Sequence, residues 1–449
     1  MANDLDAFIP ELWANESITI LQENMVMAPL VYSDFNNEIA SFGDVVNTRK
    51  PQEFTAKRKT STDSITNQDA AATNVQVSLN QHVYVSFTIA DEDLSKSFQE
   101  LVRVYLEPAM IAQSRFVDQA LLARSVDFLG STAGGLGQLS ATNAQASLVS
   151  ARTVMNNNKA PVVGRNMIFS ADSEAEMLKT NIFVAANEAG DGGLAQREGY
   201  LGRKLGFMNF MDQNVMSVSG QSTTATTTTA AAVIGATTIA ATAALGVGTY
   251  ITVAGDYTPL RSTANSTTAT INRGLASAVG SGAAITKYPV GAVNGSLATG
   301  YVKEVNVDGL SAAPQEGQII AFNDGDATTG TVRSGEYVIL SVTDNTGGEY
   351  DLILDRPLDT ALTNNDVCCL GPDGQMNLGF TKGAIALVNR PLALPPQAAG
   401  AMSAVSVYNN TAMRVVMQYN STTQGMQVTV DSLFGTKTLD SNLGCVLLG

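Results

Sequence analysis

Apolar residues recur along this chain in two periods, and the places where one gives way to the other predict its elements. Residues 10–27 read as an amphipathic helix, with Pro10 suited to the first turn, Glu11 near the positive end of the helix dipole, and Leu12, Trp13, Leu21 and Met25 available to one side. Met27-Ala28-Pro29 ends it. The stretch from Gly43 to Arg49 is β-like and Lys50-Pro51 breaks it. A polar stretch then runs to Asn74, with Lys57, Arg58 and Lys59 at its tip. Alternation returns from Val75 to Ile89, through Val77, Leu79, Val83, Val85 and Phe87. Two strands around a polar, basic-tipped excursion predict a long hairpin, and a lone hairpin is not stable in water, so it must lie on something else. After Asp91-Glu92-Asp93 a helical pattern extends to about Phe128. Phe98, Leu101, Val102, Tyr105, Leu106, Ala109, Ala112, Phe116, Ala120 and Leu121 sit at three- and four-residue steps, and a kink is expected at Pro108.

Further on, a helix is predicted from about Ala144 to Met155, an extended segment over Asn166 to Phe169, and a short helix opening at Ser170 or Asp172. Glycines and charges replace the periodicity from Glu188 to Gly206, and Leu205 to Val215 is again extended. Beyond Met216 the style changes. Residues 221–246 are nearly all Thr, Ala, Ser and Gly, and short β-like runs follow between turn residues: Tyr250 to Val253, Tyr301 to Val307, Gln318 to Phe322, Tyr337 to Val342 and Tyr350 to Leu354. This block reads as a small all-β domain inserted into another fold. Past Gly379 the earlier style resumes, with a short helix predicted near Lys382 to Val388, a stop at Pro391, Pro395 and Pro396, and strands over Met413 to Tyr419, Met426 to Val430 and Cys445 to Leu448.

Composition narrows the function. The 449 residues exceed what one hydrophobic core encloses, and 45% are hydrophobic against 15% charged, which suits a globular chain of several domains. Lys and Arg total 26 against 41 Asp and Glu, a formal charge of -15, so a general phosphate-backbone binder is disfavoured. The same excess suits a chain kept soluble at high concentration. The three cysteines, Cys368, Cys369 and Cys445, define neither a disulfide framework nor a spaced zinc site, and a reducing compartment is the simplest reading. Residues Met1 to Pro10 lack the charge and apolar run of a secretion signal, and no stretch approaches a membrane span, so production and use in cytoplasm are expected.

Candidate chemistry is thin. His82 is the one histidine and lies in an alternating strand pattern, which reads as a strand residue before it reads as a catalytic base. The turn Gly199 to Gly206, with Arg197, Arg203 and Lys204, lacks both the Gly-Lys-Ser/Thr ending of a P-loop and the spacing of a dinucleotide turn; a turn or inter-subunit role is preferred to phosphate binding. Asp324, Asp326 and the acids of 344–351 lack the EF-hand spacing and look like turn residues between strands. No cofactor and no metal is expected, and the many methionines read as core and interface filler.

Four local patterns, in this order, resemble the major capsid proteins of tailed bacteriophages, the Hong Kong 97-like fold, and within it the podovirus-type coat proteins with an inserted β-domain. Gly43-Asp44-Val45-Val46-Asn47-Thr48-Arg49-Lys50-Pro51, with its return strand into Phe87-Thr88-Ile89, resembles the extended loop. Asp91 to Phe128 resembles the spine helix of the peripheral domain. Arg197-Glu198-Gly199-Tyr200-Leu201-Gly202-Arg203-Lys204-Leu205-Gly206-Phe207 is similar to the Gly-rich turn before an axial-domain strand. Val430-Asp431-Ser432-Leu433-Phe434-Gly435-Thr436-Lys437-Thr438, closing on Cys445 to Leu448, is similar to the C-terminal signature. The resemblance implies an α+β fold with an N-terminal arm (1–42), an extended hairpin loop (43–90), a peripheral domain and first part of an axial domain (91–215), an inserted β-domain (216–377) and the remainder of both domains (378–449). It implies a coat protein that is not an enzyme and that assembles with itself as hexamers and pentamers, with scaffolding protein and portal as partners. The shell would enclose DNA without reading its sequence, in a virion built in host cytoplasm. Lys57, Arg58, Lys59, Arg197, Arg203 and Lys204 become candidate inter-subunit contacts. Some relatives join subunits through a Lys-Asn bond, but no carboxylate here marks Lys57 or Lys59 for that chemistry. Two other readings stay open: an encapsulin-like compartment of the same fold, and a β-rich surface adhesin.

Overall fold

The computed structural model describes residues 8–35, 41, 43–50, 54–65, 67–68, 73–90, 102–184, 199, 201–223, 225–325, 328, 330–395, 401–408, 411–422 and 424–449. It is a mixture of helices and sheets in two compact units. One comprises Met1–Glu23, Ser33–Gln113 and Ile385–Leu439, and the other Asn24–Tyr32, Ser114–Ala384 and Asp440–Gly449.

The first unit is organised by one 14-residue strand, Gly425–Thr438. Along one edge it pairs antiparallel with Gln81–Ala90, from Gly425 opposite Ala90 to Phe434 opposite Gln81. Along the other it takes Thr411–Asn420 and then Ile385–Arg390, while Ala401–Tyr408 adds outside Thr411–Asn420. Val428, Val430, Leu433 and Phe434 are buried along it, and Val415 and Met417 repeat the alternation next door. The helix Phe8–Asn24 buries Trp13, Ala14, Ser17, Ile18 and Leu21, three and four residues apart, and the Trp13 ring lies 6.2 Å from that of Phe87. Leu12, expected on that face, is 54% exposed.

The hairpin is a two-stranded ribbon, Val45–Lys50 against Thr73–Ser78. The alternation from Val75 to Ile89 is therefore not one return strand. It breaks after Ser78, and Gln81–Ala90 belongs to the five-stranded sheet instead. The base of the ribbon is held where Val46, Val77 and Leu79 pack on Ala386, Val388 and Leu433. Gly435 permits this approach, because a Cβ there would stand 2.2 Å from the Ser78 carbonyl oxygen.

The second unit contains a mixed sheet in the order Thr132–Gly134, Gly444–Leu448, Gly374–Thr381, Arg165–Phe169, Phe207–Met211, Arg203–Lys204. The helix Ala144–Asn157 buries Ala144, Leu148, Ala151 and Met155 in a core shared with Met167, Phe169, Phe207 and Leu447. Ser170 caps the helix Ala171–Leu178, its hydroxyl accepting from the Ser173 N–H. The chain leaves this sheet at Ser217–Val218 and rejoins it at Gly374, and these ends pair directly, Val218 opposite Gly374 and Ser217 opposite Gln375.

Between those ends lies β-structure. A four-stranded sheet takes Leu260–Arg261, Tyr250–Val253, Ala284–Lys287 and Ala225–Thr227, over a core of Ile239, Ile251, Val253, Leu260 and Ile285. A closed barrel follows, in the order Val290–Val293, Val305–Asp308, Tyr350–Leu354, Thr331–Asp344, Ile319–Asp324, Val367–Leu370. Alternate residues fill its interior: Val305 and Val307, Ile320 and Phe322, Tyr337 and Ile339, Leu352 and Leu354, Cys368 and Leu370. The strand expected over Tyr301 to Val307 is shorter, starting at Val305.

Two expectations are corrected. Residues expected to be helical near Lys382 to Val388 form the strand Ile385–Arg390, in which Ile385 to Val388 are all buried and leave no alternation to betray a strand. On the long helical segment, 91–101 lie outside the described residues, a π-helical turn spans Val102–Leu106, and the α-helix runs Glu107–Leu122 before a 3₁₀ stretch to Phe128. Pro108, which cannot donate to the carbonyl four residues back, sits where the hydrogen-bond register changes. The buried face there is Leu106, Ala109, Met110, Gln113, Ser114, Val117, Asp118 and Leu121, whereas Ala112 is exposed and Phe116 half-buried.

Replacing Gly435 with Ala forces the ribbon base off the sheet, and a cost of about 1–3 kcal/mol is expected in denaturant unfolding. All three cysteines are free and buried, and burial pushes the Cys368 thiol well up and those of Cys369 and Cys445 up to about 12. The native chain should therefore react with a thiol reagent at pH 8 far more slowly than the denatured chain, in which all three should label.

Candidate functional site

The ribbon projects a tip in which every described residue from Phe54 to Ile65 is exposed. The tip is shaped from within: the Thr60 N–H and hydroxyl both donate to Asp63 Oδ2, at 3.0 and 2.6 Å, and Thr55 and Gln68 exchange hydrogen bonds across the excursion. The Thr60 bonds hold the Asp63 carboxyl below its usual range. Lys57, Arg58 and Lys59 share this loop. Beside them stand two large apolar side chains, Phe54 at 62% and Ile65 at 78% exposure. Such a surface joins cations to apolar anchors, which is the composition of a docking element.

Arg203 and Lys204 sit together on a short strand before a tight turn, in the other unit. Gly206, with φ at +92°, lies under the Arg152 guanidinium, which donates to the Leu205 carbonyl at 3.2 Å. The positive φ of Gly199, Gly202 and Leu205 makes this stretch a succession of turns. Arg197 lies outside the described residues.

His82 is in the strand Gln81–Ala90, and its Nε2 is 3.1 Å from Asp431 Oδ2. The buried Asp431 carboxylate is also gripped by Arg414 through Nε, at 3.0 Å, and Nη2. The pairing puts Leu433 opposite His82 and Asp431 opposite Arg414, so His82 and Asp431 meet diagonally. The His82 imidazole is thus tied across the sheet to a carboxylate that Arg414 also holds. Asp431 and Arg414 were invisible as its partners in sequence, since only strand register joins residues 349 apart.

The acids considered for calcium act as strand and turn ties. Asp351 accepts from Asn306 and Asn345, Asp344 from the Thr346 N–H, and Asp324 faces Arg333, which pairs with Asp366 at 2.9 Å. Asp326 lies outside the described residues. Among the described residues no group of three or more His, Cys, Asp or Glu could hold a metal, and no helix is long and apolar enough to cross a membrane.

No family model and no curated relative matches the chain. Among solved structures it is similar to one from Mycobacterium phage Che8, at 13% identity over 94% of this chain and 90% of that chain, with a TM-score of 0.41. It is similar to the capsid structure of cyanophage P-SCSP1u at 11% identity, over 94% and 91% of the two chains, with a TM-score of 0.42. A third similarity is to the mature capsid of bacteriophage PhiM1, at 10% identity over 93% and 86% of the two chains, with a TM-score of 0.38.

Proposed function

We propose that this chain is the major capsid protein of a tailed double-stranded DNA bacteriophage, on a Hong Kong 97-like fold with an inserted β-domain. The observation that carries the reading is the ribbon: its base is packed into its own sheet, while its tip exposes Phe54, Ile65 and three consecutive cations to solvent. A large apolar side chain gains about 1.5–3 kcal/mol on full burial, so such a tip is stabilised by a partner surface. A second copy is the simplest partner, because every copy carries both the arm and the surface that receives it. Repeated contacts of this heterologous kind close into rings, the pentamers and hexamers of an icosahedral shell. Weak interfaces engaged together then make a stable wall without any catalytic residue.

The pairing of Ser217–Val218 with Gly374–Gln375 supports the inserted domain, since an insertion needs its two ends side by side. The charge of -15 fits a wall that does not adhere to the DNA it encloses. Scaffolding protein and portal are the partners this reading adds, with assembly in host cytoplasm and residence in the virion. Lys57, Arg58, Lys59, Arg197, Arg203 and Lys204 are its proposed inter-subunit contacts.

Changing Lys57, Arg58 and Lys59 together to Glu should move the stability of the isolated chain by less than about 0.5 kcal/mol, because all three are exposed. Shell yield at low salt should fall, and added salt should partly restore it, since exposed charges are screened over about 8–10 Å at ordinary ionic strength. Unchanged yield at low salt would remove the tip from the interface. Phe54→Ser with Ile65→Ser should likewise lower yield, at any salt, without lowering the melting temperature.

A further inference from the structure

We propose that the turn from Lys159 to Gly164 docks on a second copy of this chain, seating Val162 and Val163 in an apolar patch of that copy and Lys159 against a carboxylate at the patch's rim. The inference rests on the reading of this chain as one that associates with itself, and its test separates the two. The turn follows the helix Ala144–Asn157 and leads into the strand Arg165–Phe169. It opens as a closed helix end: the Ala160 N–H donates to the Met155 carbonyl at 3.0 Å and the Lys159 N–H to the Asn156 carbonyl at 2.9 Å, while Ala160 and Met155 are buried in the helix–sheet core. The residue that donates the second of these bonds adopts a left-handed conformation, for which glycine is the usual choice. Here it is Lys159, at φ +59°, a conformation unfavourable for any residue with a Cβ. Its side chain adds nothing to the helix end, being exposed, and among the described residues no carboxylate pairs with it.

The rest of the turn is held from inside. Arg165 is 2% exposed and donates through Nε to the Pro161 carbonyl at 2.7 Å and through Nη2 to the Ala160 carbonyl at 2.8 Å. Among the described residues no carboxylate neutralises this guanidinium, and its Nη1 is buried without a hydrogen-bond partner. A cation withdrawn from water without a counter-charge is costly, and what this one achieves is to fix two successive carbonyls of the turn. The ring of Pro161 restricts its own φ, and Gly164, at φ +76°, redirects the chain into the strand. A turn so constrained loses little freedom on docking. It displays three consecutive exposed apolar residues, Pro161, Val162 and Val163, the two valines at 56% and 79% exposure. Valine favours strands over turns, so local structure accounts for neither. A rigid apolar tip beside one unpaired cation fits a surface that is apolar at its centre and acidic at its rim. The chain itself supplies that charge, with 41 Asp and Glu against 26 Lys and Arg, so each copy brings an excess of acids to meet the cation of another. A nucleic-acid backbone fits poorly, since residues 153–164 hold a single cation.

The native cysteines are all buried, so Asn157→Cys, exposed beside the turn, gives the full chain one accessible thiol for a benzophenone maleimide. Irradiated mixtures of unlabelled and heavy-isotope-labelled chain should yield crosslinked peptides that pair light with heavy, the partner peptide carrying Asp or Glu. In sedimentation velocity, Val162→Ser with Val163→Ser should weaken self-association at least about tenfold at any salt, because both side chains lose the burial that docking gives them. Its melting temperature should match that of the wild type, since both positions are exposed. Lys159→Gly should melt higher, because glycine relieves the left-handed backbone, and yet associate about threefold more weakly at low salt, the difference closing as salt screens the lost charge. The inference is overturned by crosslinks that never pair light with heavy, by a double-serine variant that associates as the wild type does, or by Lys159→Gly associating undiminished at low salt. Shells formed in wild-type yield by the double-serine variant would remove this turn from the interface and leave the capsid reading standing. Light–heavy crosslinks from a chain that forms small oligomers and no shell would do the reverse.

Discussion

A strand hydrogen-bonded along both edges has no freedom to slip, and Gly425–Thr438 is such a strand over most of its length. A one-residue shift would turn Val428, Val430 and their neighbours from the buried face to the other. The register fixes more than the sheet. It brings Asp431 between Arg414 and His82, and it sets Gly435 beneath Ser78 so that the ribbon can lie close. The base of the ribbon is held by Val46, Val77 and Leu79 packed on that sheet.

The second unit solves a different problem, how to carry a long β-rich excursion without disturbing the sheet it leaves. Exit and return pair directly, Ser217–Val218 against the first residues of Gly374–Thr381, so the excursion leaves and re-enters the mixed sheet at one place, the start of an interior strand. The barrel closes on itself and therefore leaves no unpaired edge among its own strands. Buried charge is used sparingly and mostly in pairs: Arg356 with Asp127 and Asp355, Arg333 with Asp366. Asp118 and Asp212 are exceptions, two buried acids with no Lys, Arg or His paired to them among the described residues.

Much of this was legible where period and chemistry agreed. Tyr250–Val253, Tyr350–Leu354, the helix from Ala144 and the Ser170 cap follow from alternation, helical spacing and a capping hydroxyl. Ile385–Arg390 did not, because a strand buried on both faces shows no alternation. The helix before Phe128 was readable as a helix but its inner face was not: Gln113, Ser114 and Asp118 are polar, and only the backbone groups that Gln113 and Asp118 bind make them core residues. The basic tip stood out as three adjacent cations. Phe54 and Ile65 did not stand out beside it, since isolated apolar residues in a polar run acquire meaning only when the fold leaves them uncovered.

On the capsid function proposed above, free energy of association between copies, and not chemistry at a site, is what this fold provides. Its elements are consistent with that work: an arm with a packed base and an exposed tip, a net charge of -15, and a β-region whose two ends pair side by side. The most direct test is electron microscopy of the purified chain, alone and after co-expression with phage morphogenesis proteins. The account predicts closed icosahedral shells built from five- and six-membered rings; a chain that stays monomeric under every assembly condition, including co-expression, would contradict it.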